Sequence, residues 1–89
     1  MTTFTKDPNA VHDYAIDWST WLAGDQISES GWSVSDPALE VSDETNTATQ
    51  ATVWLSGGAL GTSYTVTNKI TTQAGRIDER SFIVQVQDR

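Results

Sequence analysis

The groups in this sequence that can act as acid, base or metal ligand are 12 carboxylates and one histidine, His12; there is no cysteine. Without thiols, neither a disulfide framework nor a thiolate metal site can form. The motifs GxSxG and HExxH are absent, and so is a phosphate-binding glycine loop. A serine, His12 and a carboxylate can be assembled into a set only by free choice, so His12 reads as a partly exposed strand residue. The acidic pairs Asp43-Glu44 and Asp78-Glu79 lack the spaced ligands of a calcium loop and read as solvated turn residues. Paired carboxylates for glycoside hydrolysis need a cleft that so small a chain seldom forms. No catalytic, metal-binding or cofactor-binding residue is assigned, and the sequence reads as a binding protein, not an enzyme.

Binding requires exposed rings or charges. Four tryptophans are available, Trp18 and Trp21 in the stretch "DWSTWL", then Trp32 and Trp54. A chain of 89 residues holds one core. Burying a tryptophan removes about 150–250 Å², roughly 4–6 kcal/mol at ~25 cal/mol/Å², which a small core seldom forgoes. Trp18, Trp21, Trp32, Tyr64 and Phe82 are therefore assigned to the core or its rim. Trp54 differs because its parity opposes Val53 and Leu55. Three readings of it stay open: packing beneath a loop or second sheet, anchoring a protein interface, or stacking on a sugar.

The formal charge of −7 disfavours nucleic acid and anionic membranes, both of which require clustered Lys and Arg. The N-terminal stretch "MTTFTKDPNA" has no apolar signal core, and no run is long enough to span a bilayer. Synthesis in a cytoplasm fits these features, and the chain reads as a whole small gene product.

The elements that must position these residues are strands. Thirteen threonines and short alternating runs point to an all-β fold. In "SYTVTNKI", Tyr64, Val66 and Ile70 share one parity. Asn68 interrupts that inward set and must find a hydrogen-bond partner, or the strand must bulge. In "SFIVQVQ", Phe82, Val84 and Val86 face one way. "TTQAGRIDER", with Gly75 suited to a positive-φ turn position, joins the two as a hairpin. Upstream, "ATQATVWLS" ends at the Gly57-Gly58 turn, and "VHDYAID", "QISESGWSV" and "LEVS" supply further strands. Six or seven short strands at this spacing predict an immunoglobulin-like β-sandwich over residues 11–89; a small barrel is the alternative. After the strand ending at Asp17, Asp17 or Ser19 can cap one helical turn. That turn sets Trp18 against Trp21 or Leu22 as a plug at one end of the sandwich.

Residues 1–10 read as an extended arm, unordered until it meets a neighbour, with Phe4 as its one large aromatic. The loop from Thr72 to Arg80 brings together Arg76, Asp78, Glu79 and Arg80, charges able to pair with one another or to set register at an interface. Phe4, Trp54, Arg76 and Arg80 are the candidate partner contacts.

The order "DYAIDWSTWLAGDQI", "GWSV", "ATVWLSGG" and "GTSYTVTNKITTQAGRIDERSFIVQV" resembles the phage fibre–tail adaptor proteins of tailed bacteriophages. The likeness runs from about Lys6 to Val86, and "WLSGG", "YTVTNKITT" and "GRIDERS" carry most of its specificity. It implies an immunoglobulin-like protein of the virion tail, made in the bacterial host cytoplasm and present in multiple copies. Its partners would be other virion proteins, tail, fibre or connector, and it would have no catalytic activity. The pattern carries no catalytic motif to transfer. A stand-alone carbohydrate-binding module using Trp54 or the Trp18/Trp21 pair is the alternative.

Overall fold

Alternation along the strand Ser63–Thr72 sorts its side chains by face. Tyr64, Val66, Asn68, Ile70 and Thr72 are buried, while the residues between them point outward. The computed structural model describes residues 2–88 and is built almost entirely of such strands. They are β1 (Thr3–Lys6), β2 (His12–Asp17), β3 (Ile27–Val34), β4 (Leu39–Asn46), β5 (Gln50–Gly57), β6 (Ser63–Thr72) and β7 (Ile77–Val86). One helical turn, α1 (Ser19–Leu22), lies between β2 and β3.

The strands form a four-stranded sheet in the order β1-β7-β6-β3 and a three-stranded sheet in the order β2-β5-β4. Second, fifth and fourth strands on one layer, with third, sixth and seventh on the other, is the immunoglobulin arrangement. Here the first strand lies beside the last, in parallel, instead of beside the second. The predicted hairpin is β6–β7, whose pairing runs without interruption from Ser63↔Gln85 to Thr71↔Ile77.

Between the sheets, Leu39, Val53, Leu55, Tyr64, Val66, Phe82, Val84 and Val86 form the main core. A second cluster of Trp18, Leu22, Ile27 and Ile70 fills the end that holds α1. The registers put α1, the 47–49 turn and the 73–76 turn at that end. Backbone bonds tie them together: Trp18 N to Thr49 O at 2.8 Å, Ile27 N to Ala48 O at 2.8 Å, and Gln73 N to Gln26 O at 2.9 Å.

The opposite end is closed by a tyrosine. Tyr64, at the start of β6, accepts at its Oη a 2.8 Å hydrogen bond from the Ala59 backbone N–H, five residues upstream. This is the tyrosine corner expected at the start of the sixth strand of such a sandwich. Gly58 packs under it with φ +95°, and a Cβ built there would lie 2.7 Å from Val86 Cγ2. Both the conformation and the space demand glycine.

The N-terminal segment does not behave as an unordered arm. Thr3–Lys6 pairs in parallel with Ile83–Val86, flanked by bonds from Ile83 N to Thr2 O and from Gln87 N to Lys6 O, each 2.9 Å. Phe4 and Lys6 share the inward parity. The Lys6 side chain is completely buried, with Nζ donating to Gly57 O at 2.8 Å and Asp7 O at 2.9 Å. Burial pushes the Lys6 ammonium below its usual pKa, partly opposed by the charge of Asp7. The expectation of independence from the fold fails because two inward-facing side chains and a row of backbone bonds hold this stretch to β7.

Candidate partner-binding surfaces

The helical turn and the β6–β7 hairpin, far apart in sequence, meet at one end. Trp18 and Trp21 pack edge to face with centroids 5.4 Å apart. A guanidinium covers each: Arg76 lies 4.0 Å from the Trp21 ring and Arg80 lies 4.3 Å from the Trp18 ring. Arg76 also donates to Trp21 O at 2.9 Å and Leu22 O at 3.2 Å. Those carbonyls lie at the end of a four-residue helix, where intrahelical partners run out; Leu22 O also accepts from Asp25 N at 3.0 Å. Arg80 donates to Asp17 O at 3.2 Å.

Charge at this end is organised by two aspartates. Asp25 accepts from Gln26 N and Ala74 N and faces Arg76 at 3.5 Å. Its carboxyl pKa is held below the usual value chiefly by the Thr72 hydroxyl, with the two backbone N–H groups and Arg76 adding to it. Asp17 accepts from Ser19 N at 2.9 Å, and the backbone and hydroxyl of Ser19 lower its pKa, with a smaller contribution from Arg80. The four charges between Thr72 and Arg80 were read as able to pair with one another or to set register at an interface, and three of them, Asp78, Glu79 and Arg80, lie in β7. They do not pair with one another: Arg76 turns to α1 and Asp25, Arg80 turns to Asp17 O and Trp18, and Asp78 accepts from Glu79 N.

Trp18 is fully buried, and its Nε1 donates to Asn68 Oδ1 at 2.9 Å. Asn68 Nδ2 in turn donates to Ser30 Oγ at 2.9 Å and Gly31 O at 3.0 Å. The polar interruption in β6 thus has its partners, and the strand keeps its register there. Trp32 is partly buried and packs against the main core, its ring 6.0 Å from that of Phe82, with Nε1 buried and unpaired among the described residues.

The second surface is the outer face of the sheet β2-β5-β4. Ala51, Val53 and Leu55 of β5 are completely buried, so Trp54 stands on the opposite side, 38% exposed. It occupies the central strand, directly across from Asp13 on β2 and Ser42 on β4. The three strands hold Asp13, Asp17, Glu40, Asp43 and Glu44 and no lysine or arginine. Glu44 is engaged, accepting from Trp32 N at 3.1 Å across the edge between the sheets. Lys6, Lys69, Arg76 and Arg80 all belong to the other sheet or its hairpin turn.

Phe4 lies at the open side between β1 and β2, 38% exposed. Its ring meets Tyr14 at 5.1 Å and Phe82 at 5.3 Å, both edge to face. Beside it a depression of about 250 Å³ is lined by Thr2, Phe4, Ala15, Ile16, Arg80 and Phe82 among others.

Of the four candidate contacts, Arg76 and Arg80 come together and use their guanidinium groups within the chain. Phe4 closes the side of the core, and Trp54 alone stands on an open sheet face. Sequence reading missed Lys6 and Asp25. Lys6 was legible in principle from the parity it shares with Phe4; Asp25 carries no local signal, because apart from the adjacent Gln26 N–H its partners lie 47 to 51 positions away.

A search of curated proteins finds no match. A family model described as "Podophage GP4 fiber-tail adaptor protein gp77" matches residues 6–85. The match takes in β2 to β6, α1 and β7 up to Gln85, with only Lys6 of β1, and so covers Trp54 and the α1 end. The chain therefore belongs to the podophage GP4 fibre–tail adaptor family.

Proposed function

We propose that this protein is a non-enzymatic connector of the phage virion that joins the tail to fibres or another appendage, in several copies around the tail. Its ligands are other virion proteins, and it is made in the host cytoplasm. Family membership over residues 6–85 carries this reading. The structure contributes a rigid sandwich with an aromatic side chain standing on an open sheet face, the kind of anchor around which protein interfaces concentrate their binding energy. Trp54 is the contact in this reading; Phe4, Arg76 and Arg80 hold the side and end of the domain that border it. Disrupting the gene tests the proposal. Gradient-purified particles should keep their heads and lose fibre protein, and a plasmid copy should restore it. Particles with a full fibre complement would overturn it.

One observation favours a second reading. The indole of Trp54 is 38% exposed on the outer side of the central strand, which also suits stacking on a pyranose. A saccharide titration of tryptophan emission, repeated with Trp54→Phe, separates the two. A saturable shift in the native protein that disappears in the variant would make it a sugar binder, and no shift is expected of a connector.

A further inference from the structure

Each of the two tryptophans at the α1 end carries an arginine on its face, supplied by the chain's own β6–β7 hairpin. Trp54 is half exposed and has no such partner among the described residues. On its sheet the chain offers only carboxylates, with Asp13 directly opposite on β2. Directly opposed residues of an antiparallel pair have Cβ atoms about 4.5–5.5 Å apart, so a cation lying on the Trp54 ring is within reach of the Asp13 carboxylate. The Asp13 side chain is exposed and makes no hydrogen bond or ion pair among the described residues. An indole beside a free carboxylate is a seat for a cationic side chain: the ring quadrupole attracts the charge, and the carboxylate neutralises it.

We propose that the outer face of the sheet β2-β5-β4 docks on a partner protein that lays an arginine or lysine over Trp54 and pairs it with Asp13. Asp17 and Glu40, exposed on the same face, complement further basic residues around that contact. The charge layout selects the orientation. A second copy of this chain is a poor occupant, because the outward positions of its other sheet hold Glu29 and Glu79 beside Lys69, with no excess of positive charge. The partner is therefore a different virion protein, with a basic, shallow surface around one protruding cation.

The inference rests on the connector reading, and the test separates the two. Phage lacking the gene is complemented with plasmid-borne wild type, Trp54→Ser, Trp54→Phe, Asp13→Lys or, on the opposite sheet face, Thr67→Lys. Purified particles are scored for this chain and for fibre protein by quantitative immunoblot, and thermal melts confirm that each variant folds. Trp54→Ser and Asp13→Lys should lower the content of one or both proteins by at least about tenfold, while Trp54→Phe and Thr67→Lys stay near wild type. Full incorporation and full fibre content with both Trp54→Ser and Asp13→Lys would overturn the docking face and leave the connector reading standing. Absence of the wild-type chain from particles would overturn the connector reading itself. Loss with Thr67→Lys and not with Asp13→Lys would move the interface to the other sheet.

Discussion

Trp18 Nε1 donates a 2.9 Å hydrogen bond to Asn68 Oδ1, and both side chains are completely buried. This contact links the turn after β2 to the middle of β6 over 50 positions of sequence. It explains how a polar residue sits in an inward row without distorting the strand. A buried amide of this kind is worth retaining only when all its partners are present, and here Ser30 and Gly31 take up the remaining donor.

Replacing Asn68 by Leu leaves the Trp18 N–H without an acceptor in a dry site. The variant should lose about 2–4 kcal/mol in urea unfolding. Adding Trp18→Phe to it should recover part of the loss, because the orphaned donor is then gone, and the double-mutant cycle should show coupling. Additive losses would mean the bond contributes nothing specific.

Removing Thr2–Lys6 should destabilise the fold by about 3 kcal/mol or more, since it strips the parallel pairing with β7, the Phe4 ring from Tyr14 and Phe82, and the buried Lys6. Unfolding by urea measures it. An unchanged midpoint would return this segment to the status of a loose arm.

Arg76 holds the two carbonyls that end α1. Arg76→Ala should cost about 1–2 kcal/mol and alter the emission of Trp21, whose ring it covers. Arg76→Lys should recover only part, because an ammonium cannot reproduce the forked contact. A substitution here therefore tests folding before it tests assembly, and any effect on particles has to be read beside the melt.

Asp25 gives stability a pH dependence with a definite sign. Its folded pKa lies below the unfolded value of about 3.9. As pH falls below about 4, the unfolded chain takes up a proton before the folded one does, so stability drops until the folded carboxyl is protonated too. Asp17 acts in the same direction. Urea midpoints measured from about pH 5 down to about pH 2 should fall less steeply for Asp25→Asn than for wild type. Parallel curves would remove Asp25 from the account.

Period-two patterning made faces legible but not partners. The inward set of β6, the β6–β7 hairpin and the outward parity of Trp54 all follow from alternation, which depends only on local backbone geometry. That Asn68 needs a partner was also readable; that the partner is Trp18 was not, because nothing local joins them. Lys6 escaped for a different reason. A charged residue at the end of a four-residue strand gives no apolar run, and its burial depends on a carbonyl 51 positions away. The expected loop from Thr72 to Arg80 is a short turn with Arg76 at its end, and Arg80 lies within β7; the partners of both come from α1, the residues beside it and Asp25, which only the sandwich topology brings near. Of the candidate contacts, Trp54 was the one whose exposure is decided by its own strand, and it is the one left facing outward.

A connector of this family should be a component of the phage tail. Immunogold electron microscopy of purified virions, with antibody raised against the 89-residue chain, tests it most directly. Gold is predicted at the tail, where fibres or another appendage attach. Intact virions whose tails are accessible to antibody and carry no gold would contradict it.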